Sequence, residues 1–314
     1  MKSLKIVFMG TPDFAVASLK SLVENNYSVV GVITAPDRPA GRGQKLRASA
    51  VKEYAVSVDL PVLQPTNLKS EDFLLELKAL NADLQIIVAF RMLPKVVWAM
   101  PEHGTFNLHA SLLPEYRGAA PINWAVINGE TMTGNTTFFI DEKIDTGAVI
   151  LQQKVLIERN TTGGELHDVL MEQGAGLVLK TVDLIEAGEV KTKVQPEKEP
   201  KTAYKLNRDN TKIDWTIDGQ TIHNLIRGLS PYPSAWCFLN DKGKEQKVKI
   251  LLSEFEKTSH NDKLGHISII EKQLKVAVKD GYVRILKMQL PGKKAMETKA
   301  LLNGYVFDEA AFLA

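Results

Sequence analysis

The run Ala82–Phe90 constrains the fold of this chain more than any other stretch. It closes on DLQIIVAF, with apolar residues on consecutive positions. A strand covered on both faces reads this way, whereas a strand with one wet face alternates. Two shorter apolar runs precede it, Lys5–Met9 and Tyr27–Ile33, and Pro61–Leu63 adds a short fourth. Helical spacing fills the gaps: Phe14, Leu19, Leu22 and Val23 in Asp13–Val23, then Ala48–Val56 and Ser70–Leu80. Strands alternating with helices predict an α/β unit whose mostly parallel sheet carries helices on both faces. Such sheets place their ligands at the carboxyl ends of the strands.

Two features sit at those ends. Gly10-Thr11-Pro12 follows the first strand but supplies one glycine where a dinucleotide loop needs G-x-G-x-x-G. A tight turn at the edge of a cleft is the better reading. Thr34–Ser49 reads TAPDRPAGRGQKLRAS, with Arg38, Arg42, Lys45 and Arg47 and no apolar periodicity. That composition predicts an exposed loop. The residues alone leave two readings open, a solvated basic loop or a phosphate contact.

Further on, Phe106–Ile150 holds Asn107 and His109 two residues apart, on one face of an extended chain. A proline-containing turn, Ser111–Gly118, follows, and then an acidic turn with Asp141 and Asp145. An amide, an imidazole and a carboxylate in one cleft would make an acid–base site. Taken singly, each has a plainer reading: a satisfied core histidine, a turn-capping Asn, an Asp holding its own turn. His103, His109 and His167 are scattered and show no zinc-binding spacing, so no metal is expected. A nucleophile elbow of the G-x-S-x-G kind is absent from the sequence. Ala119–Asn128 predicts a helix with Pro121 in its first turn. Thr133–Ile140 and Ala148–Ile157 predict strands flanking the acidic turn, and Gly164–Glu186 a helix with Leu166, Leu170, Leu177 and Ile185 on its covered face.

The remaining chain changes character. Residues 1–190 hold 17 Lys+Arg against 22 Asp+Glu, a net −5; residues 191–314 hold 22 against 15, a net +7, and together they give the whole-chain +2. The basic portion suits a polyanion partner. Gly188–Asn210, charged and carrying Pro196 and Pro200, predicts a connector, and Thr216–Arg227 an amphipathic helix. Short apolar segments at Ala235–Leu239, Val248–Leu252, Gly265–Ile270, Leu274–Ala277 and Tyr282–Leu290 predict a five-stranded antiparallel barrel of the oligonucleotide-binding (OB) kind. Trp215, Trp236 and Tyr232 read as core or hinge residues. The single cysteine, Cys237, excludes an internal disulfide framework and suits a reducing compartment. With no signal peptide and no membrane-length apolar run, the expectation is a cytoplasmic protein without membrane contact.

HASLLPEYRGAAP followed by DEKIDTG resembles the 10-formyltetrahydrofolate-dependent formyltransferases, most closely the methionyl-tRNA formyltransferase family. The resemblance extends over nearly the whole chain, including PDRPAGRG at the arginine-rich loop. It implies a Rossmann-like formyltransferase domain at 1–189, a linker at 190–209 and an OB-like tRNA-binding domain at 210–314. It implies Asn107, His109 and Asp145 as catalytic residues and 10-formyltetrahydrofolate as formyl donor, with no metal. Phe90, Leu93, Ser111, Leu112, Leu113, Pro114, Asp141 and Ile144 would line the folate site. Arg38, Arg42, Lys45, Arg47, Lys293 and Lys294 would contact tRNA, with methionyl initiator tRNA as acceptor and a monomer as the working form. AFRMLP carries Arg91 where the family usually has glycine. A sugar-nucleotide amine as acceptor and a non-catalytic RNA-binding protein are the alternatives; the arginine-rich loop weighs against the first and the intact Asn107, His109 and Asp145 against the second.

Overall fold

The computed structural model describes residues 4–40, 45–197 and 200–314. They form two compact units: Met1–Gly118 with Thr133–Val155 and His167–Thr202, and Ala119–Met132 with Leu156–Leu166 and Ala203–Ala314.

The first unit is built on a seven-stranded sheet. Its order is Val149–Leu156, Met132–Phe139, Thr105–His109, Leu84–Val88, Lys5–Gly10, Ser28–Ile33, Val62–Leu63. From Thr105–His109 to Val62–Leu63 every pairing is parallel. All five residues of Leu84–Val88 are buried, as an apolar run covered on both faces requires. The chain builds outward from Lys5–Gly10 in one direction, then returns to its other side with Leu84–Val88. Between these two strands lies the topological switch point, the place where open α/β sheets bind their ligands at the carboxyl ends. Gly10 ends the first of them. A Cβ there would stand 2.6 Å from the Ala15 Cβ and 3.0 Å from the Val88 carbonyl oxygen. Close packing, not phosphate binding, accounts for that glycine.

Thr105–His109 is where the sheet changes sense. It runs parallel to Leu84–Val88 on one side and antiparallel to Met132–Phe139 on the other. The helix Gly163–Glu186 buries Leu166, Leu170, Leu177 and Ile185. Two polar contacts tie it to Met132–Phe139: the Asn135 amide donates to the Leu170 carbonyl at 2.9 Å, and the Thr137 and Thr181 hydroxyls meet at 2.9 Å.

The second unit centres on the helix Gly219–Leu229 and an antiparallel sheet. The helix starts three residues later than its apolar pattern suggests. Asp214 accepts from the amide and the hydroxyl of Thr216 in a local turn, and Asp218 then caps the helix by accepting from the Thr221 amide at 2.8 Å. Five long strands, Ala235–Asp241, Lys244–Lys257, Ile267–Ile270, Gln273–Val278 and Gly281–Gln289, are joined by the two-residue strands Met296–Glu297 and Phe312–Leu313. The sheet curls until His266, just before Ile267–Ile270, bridges Phe312 at its far edge. The expected five strands thus become seven, because short pairings of this kind carry no apolar signature. Ile222, Ile226 and Leu229 of the helix, with Trp215 and Cys237, belong to one buried core. Burial pushes the Cys237 thiol up to about 12, which leaves it inert. Trp215 and Trp236 are buried, but Tyr232 is 82% exposed between Pro231 and Pro233 and is no core residue.

Candidate active site

The site begins with Thr105–His109. Asn107 pairs with Phe138 and His109 with Thr136 across the antiparallel boundary, so both occupy one face of the strand. His109 is 6% exposed. Its Nε2 lies 2.9 Å from the Tyr116 carbonyl oxygen. A carbonyl only accepts, so Nε2 carries the proton, and in the neutral ring Nδ1 is the free acceptor. Nδ1 faces Asp145 Oδ2 at 3.8 Å, within ion-pair reach. The residue that orients the ring by hydrogen bonding is therefore Tyr116, through its main chain.

Asp145 lies in the acidic turn with φ at +54°, in the left-handed region that Asp tolerates better than most side chains. Its Oδ2 accepts from the Gly118 amide at 2.9 Å. At the far end of the turn, a Cβ on Gly147 would fall 1.7 Å from the Phe139 carbonyl oxygen, so only glycine fits there. The Gln195 side-chain amide donates to the carbonyls of Asp145 and Gly147. Its oxygen accepts from Arg117 Nε and Nη2.

The remaining candidate residues have varied surroundings. Asp141 accepts from the Lys143 amide and the Thr146 hydroxyl, so its carboxylate shapes its own turn; neighbouring Ile144 is 56% exposed. Ser111 donates to the Glu115 carbonyl, and its own carbonyl accepts from Thr136. Leu112 and Pro114 are half-buried, and Leu113 is buried. The Gln152 amide holds the Leu113 carbonyl at 2.8 Å and the Thr136 hydroxyl at 3.0 Å. Leu93 is buried in the core, with Phe90 packed partly against it. Arg91 donates to the carbonyls of Thr66 and Pro65 and lies over the Phe90 ring, which gives this departure from glycine a structural use. Burial, with the nearby Arg38 charge, holds the Arg91 guanidinium below its usual range.

The arginine-rich stretch differs from the loop its composition suggests. Arg38–Ala40 and Lys45–Arg47 pair as a short antiparallel hairpin, because main-chain pairing of polar residues leaves no apolar period to read. Arg38 and Arg47 are exposed. Arg42 lies outside the described residues, as does the side chain of Lys45. At the base of the hairpin, Asp37 accepts from Lys52 Nζ at 2.6 Å and from Gln64 Nε2 at 2.8 Å. Those contacts, Gln64 first, hold its carboxyl below the usual range. Ser49 caps the following helix, Ala50–Ser57, by accepting from the Lys52 amide. In the second unit, Lys293 and Lys294 are exposed. Among the described residues, no His, Cys, Asp or Glu cluster could hold a metal ion, and no helix is long and apolar enough to cross a membrane.

Gln195, Tyr116 and Gln152 were not legible as site residues. All three act on or through main-chain carbonyls, which carry no side-chain signature, and Gln195 sits in a charged connector without periodicity.

Residues 4–182 match the Formyl transferase family and residues 205–306 the Formyl transferase C-terminal domain. The two matches therefore define a two-domain formyltransferase. The chain is 60% identical over 312 residues to the methionyl-tRNA formyltransferase of Flavobacterium johnsoniae, covering 99% of each chain. It is 54% identical to that of Parabacteroides distasonis, covering 97% of this chain and 96% of the relative. The chain belongs to the methionyl-tRNA formyltransferase family. Among solved structures, a sugar 3N-formyl transferase determined with dTDP and 5-N-formyl-THF shares the fold, with a TM-score of 0.64, 22% identity, and coverage of 93% of this chain and 99% of that one.

Proposed function

We propose that this protein transfers the formyl group of 10-formyltetrahydrofolate to the free α-amine of methionyl initiator tRNA, the step that prepares that tRNA for translation initiation. In a chain of this family, the observation that carries the chemistry is the approach of His109 Nδ1 to Asp145 Oδ2 at 3.8 Å, on the strand face that also holds Asn107.

The reaction then follows from proton positions. The α-ammonium must lose a proton before its nitrogen can attack the formyl carbon. His109 Nδ1 is the acceptor, because Nε2–H is committed to the Tyr116 carbonyl. Asp145 stabilises the imidazolium that forms. As the new C–N bond forms, the formyl oxygen gains negative charge, and the Asn107 amide donates to it. A preorganised donor of this type contributes about 100- to 1000-fold in rate. The attacking nitrogen gives up its second proton, N10 takes up one as the C–N10 bond breaks, and tetrahydrofolate leaves. No covalent enzyme intermediate is needed.

In this reading the main chain from Phe90 to Leu93, the turn Ser111–Pro114, and Asp141 with Ile144 form the walls of the folate site. Arg38, Arg42, Lys45 and Arg47 reach the tRNA acceptor end. The C-terminal domain, with Lys293 and Lys294, adds phosphate contacts, and the working form is a monomer.

The test is formyl transfer from 10-formyltetrahydrofolate to four acceptors: methionyl initiator tRNA, methionyl elongator tRNA, uncharged initiator tRNA and a sugar-nucleotide amine. Transfer confined to the charged initiator is the expected result. Transfer to the sugar amine alone would overturn the acceptor while leaving the chemistry. RNA binding without any transfer would overturn both.

A further inference from the structure

We infer that Gln195 is a positioning residue for formyl transfer, and that the connector carrying it braces both members of the acid–base pair. The inference rests on the roles proposed above for His109 and Asp145.

Gln195 is 6% exposed. Its Nε2 donates to the carbonyls of Asp145 at 2.9 Å and Gly147 at 2.8 Å. Its Oε1 accepts from Arg117 Nε at 3.2 Å and Nη2 at 2.6 Å. Two donors and two acceptor sites are what an amide side chain has, and here all four are used. A carboxylate in the same place would face two carbonyl oxygens with no proton to offer, and an apolar side chain would strand both carbonyls. The position therefore asks for an amide.

What this amide holds is a turn with a left-handed residue in it. Asp145 is a non-glycine residue at φ +54°, and such a conformation persists where its surroundings over-determine it. Gln195 fixes the carbonyl of Asp145 and that of Gly147 two residues on, so the carboxylate is aimed from behind. The connector is itself anchored two residues earlier, where Lys193 and Val149 exchange both main-chain hydrogen bonds at 2.8 Å.

The same connector reaches the other member of the pair. The Lys201 carbonyl accepts from the Tyr116 amide at 2.6 Å, and the Tyr116 carbonyl is the acceptor that fixes the His109 tautomer. One stretch of chain between the two homology-defined domains thus sets the carboxylate through Gln195 and the imidazole through Tyr116. A displacement of about 1 Å at a reacting group costs on the order of 100-fold in rate.

The experiment is a double-mutant cycle on the full-length enzyme, measuring formyl transfer with both substrates varied. Gln195→Leu should lower kcat about 100-fold. KM for methionyl-tRNA and for the formyl donor should stay within about threefold, since the substituted residue touches neither substrate. In the Asp145→Asn background, Gln195→Leu should cost almost nothing further, because its effect runs through Asp145. Arg117→Met removes the anchor of Gln195 and leaves the amide in place. It should reproduce the kcat loss in weaker form, about tenfold, and it serves as the test should Gln195→Leu fail to fold. Unchanged kcat in these variants, a loss confined to KM, or equal losses in the wild-type and Asp145→Asn backgrounds would overturn the inference. Full activity in Asp145→Asn would instead overturn the role of Asp145, and the inference with it.

Discussion

Two histidines in this molecule are almost equally buried and sit beside charges of opposite sign. His109, 6% exposed in the first unit, gives Nε2–H to a carbonyl and turns Nδ1 toward the Asp145 carboxylate. His223, 4% exposed in the second unit, has the Ser253 hydroxyl at 3.1 Å from Nδ1 and lies in the field of Arg227 and Arg159. Burial, reinforced by those two cations, pushes the His223 imidazole down to about 4. One ring faces a carboxylate; the other lies in the field of two guanidinium groups. Burial alone therefore does not tell the two apart. The sign of the neighbouring charge does, and that sign comes from tertiary structure.

The largest effect should come from taking away the proton acceptor. His109→Gln keeps a polar side chain but cannot accept and hold a proton as imidazole does. It should lower kcat for formyl transfer about 100- to 10,000-fold with little change in substrate KM. Asp145→Asn removes the charge but leaves an oxygen for the Gly118 amide, so a loss toward the lower end of that range is expected. A steady-state assay at saturating substrates decides both. A His109→Gln enzyme within threefold of wild type would place this histidine with His223, as a packing residue.

His223 should act on stability and not on rate. Its folded-state value of about 4 lies below the ordinary 6.5, so the unfolded chain takes up the proton more readily. The stabilising contribution is complete above pH 6.5 and is lost as pH falls from 6.5 to 4. At about 1.4 kcal/mol per pKa unit the loss is on the order of 3 kcal/mol. Urea unfolding of the full chain at pH 7, 5.5 and 4.5 should show this decline, and His223→Gln should flatten it while leaving kcat at pH 7 unchanged. A slope that His223→Gln does not alter would assign the acid sensitivity to other groups.

Much of the fold was legible because burial on both faces leaves a mark in the sequence. Leu84–Val88 reads as an unbroken apolar run, and Leu166, Leu170, Leu177 and Ile185 read as one helix face. Asn107 and His109 were legible as a pair, because a spacing of two puts residues on one face of a strand. The approach of His109 to Asp145 was not, since it depends on a left-handed residue and on a glutamine fifty positions further along the chain. The hairpin Arg38–Ala40 with Lys45–Arg47 was hidden for a related reason. It is held by main-chain pairing and by Asp37, Lys52 and Gln64, which are polar groups that any solvated loop could contain.

That hairpin extends the comparison to charges that need neither burial nor fine aim. Arg38 and Arg47 are exposed. A phosphate contact depends on charge within reach more than on tenths of an ångström. Replacing Arg42, which the family resemblance puts at the tRNA end, should raise KM for methionyl-tRNA about tenfold and weaken the preference for initiator over elongator, with KM for the formyl donor unchanged. Arg42→Ala with undiminished initiator preference would remove this loop from tRNA recognition. Asp37→Ala should do less, about threefold, because it loosens the base of the hairpin while every cation remains. Arg47→Ala removes a single exposed charge and should do least. Its signature is the salt dependence: the slope of log affinity for tRNA against log salt should fall by about one, whichever tRNA is bound. An unchanged slope would mean that Arg47 meets no phosphate.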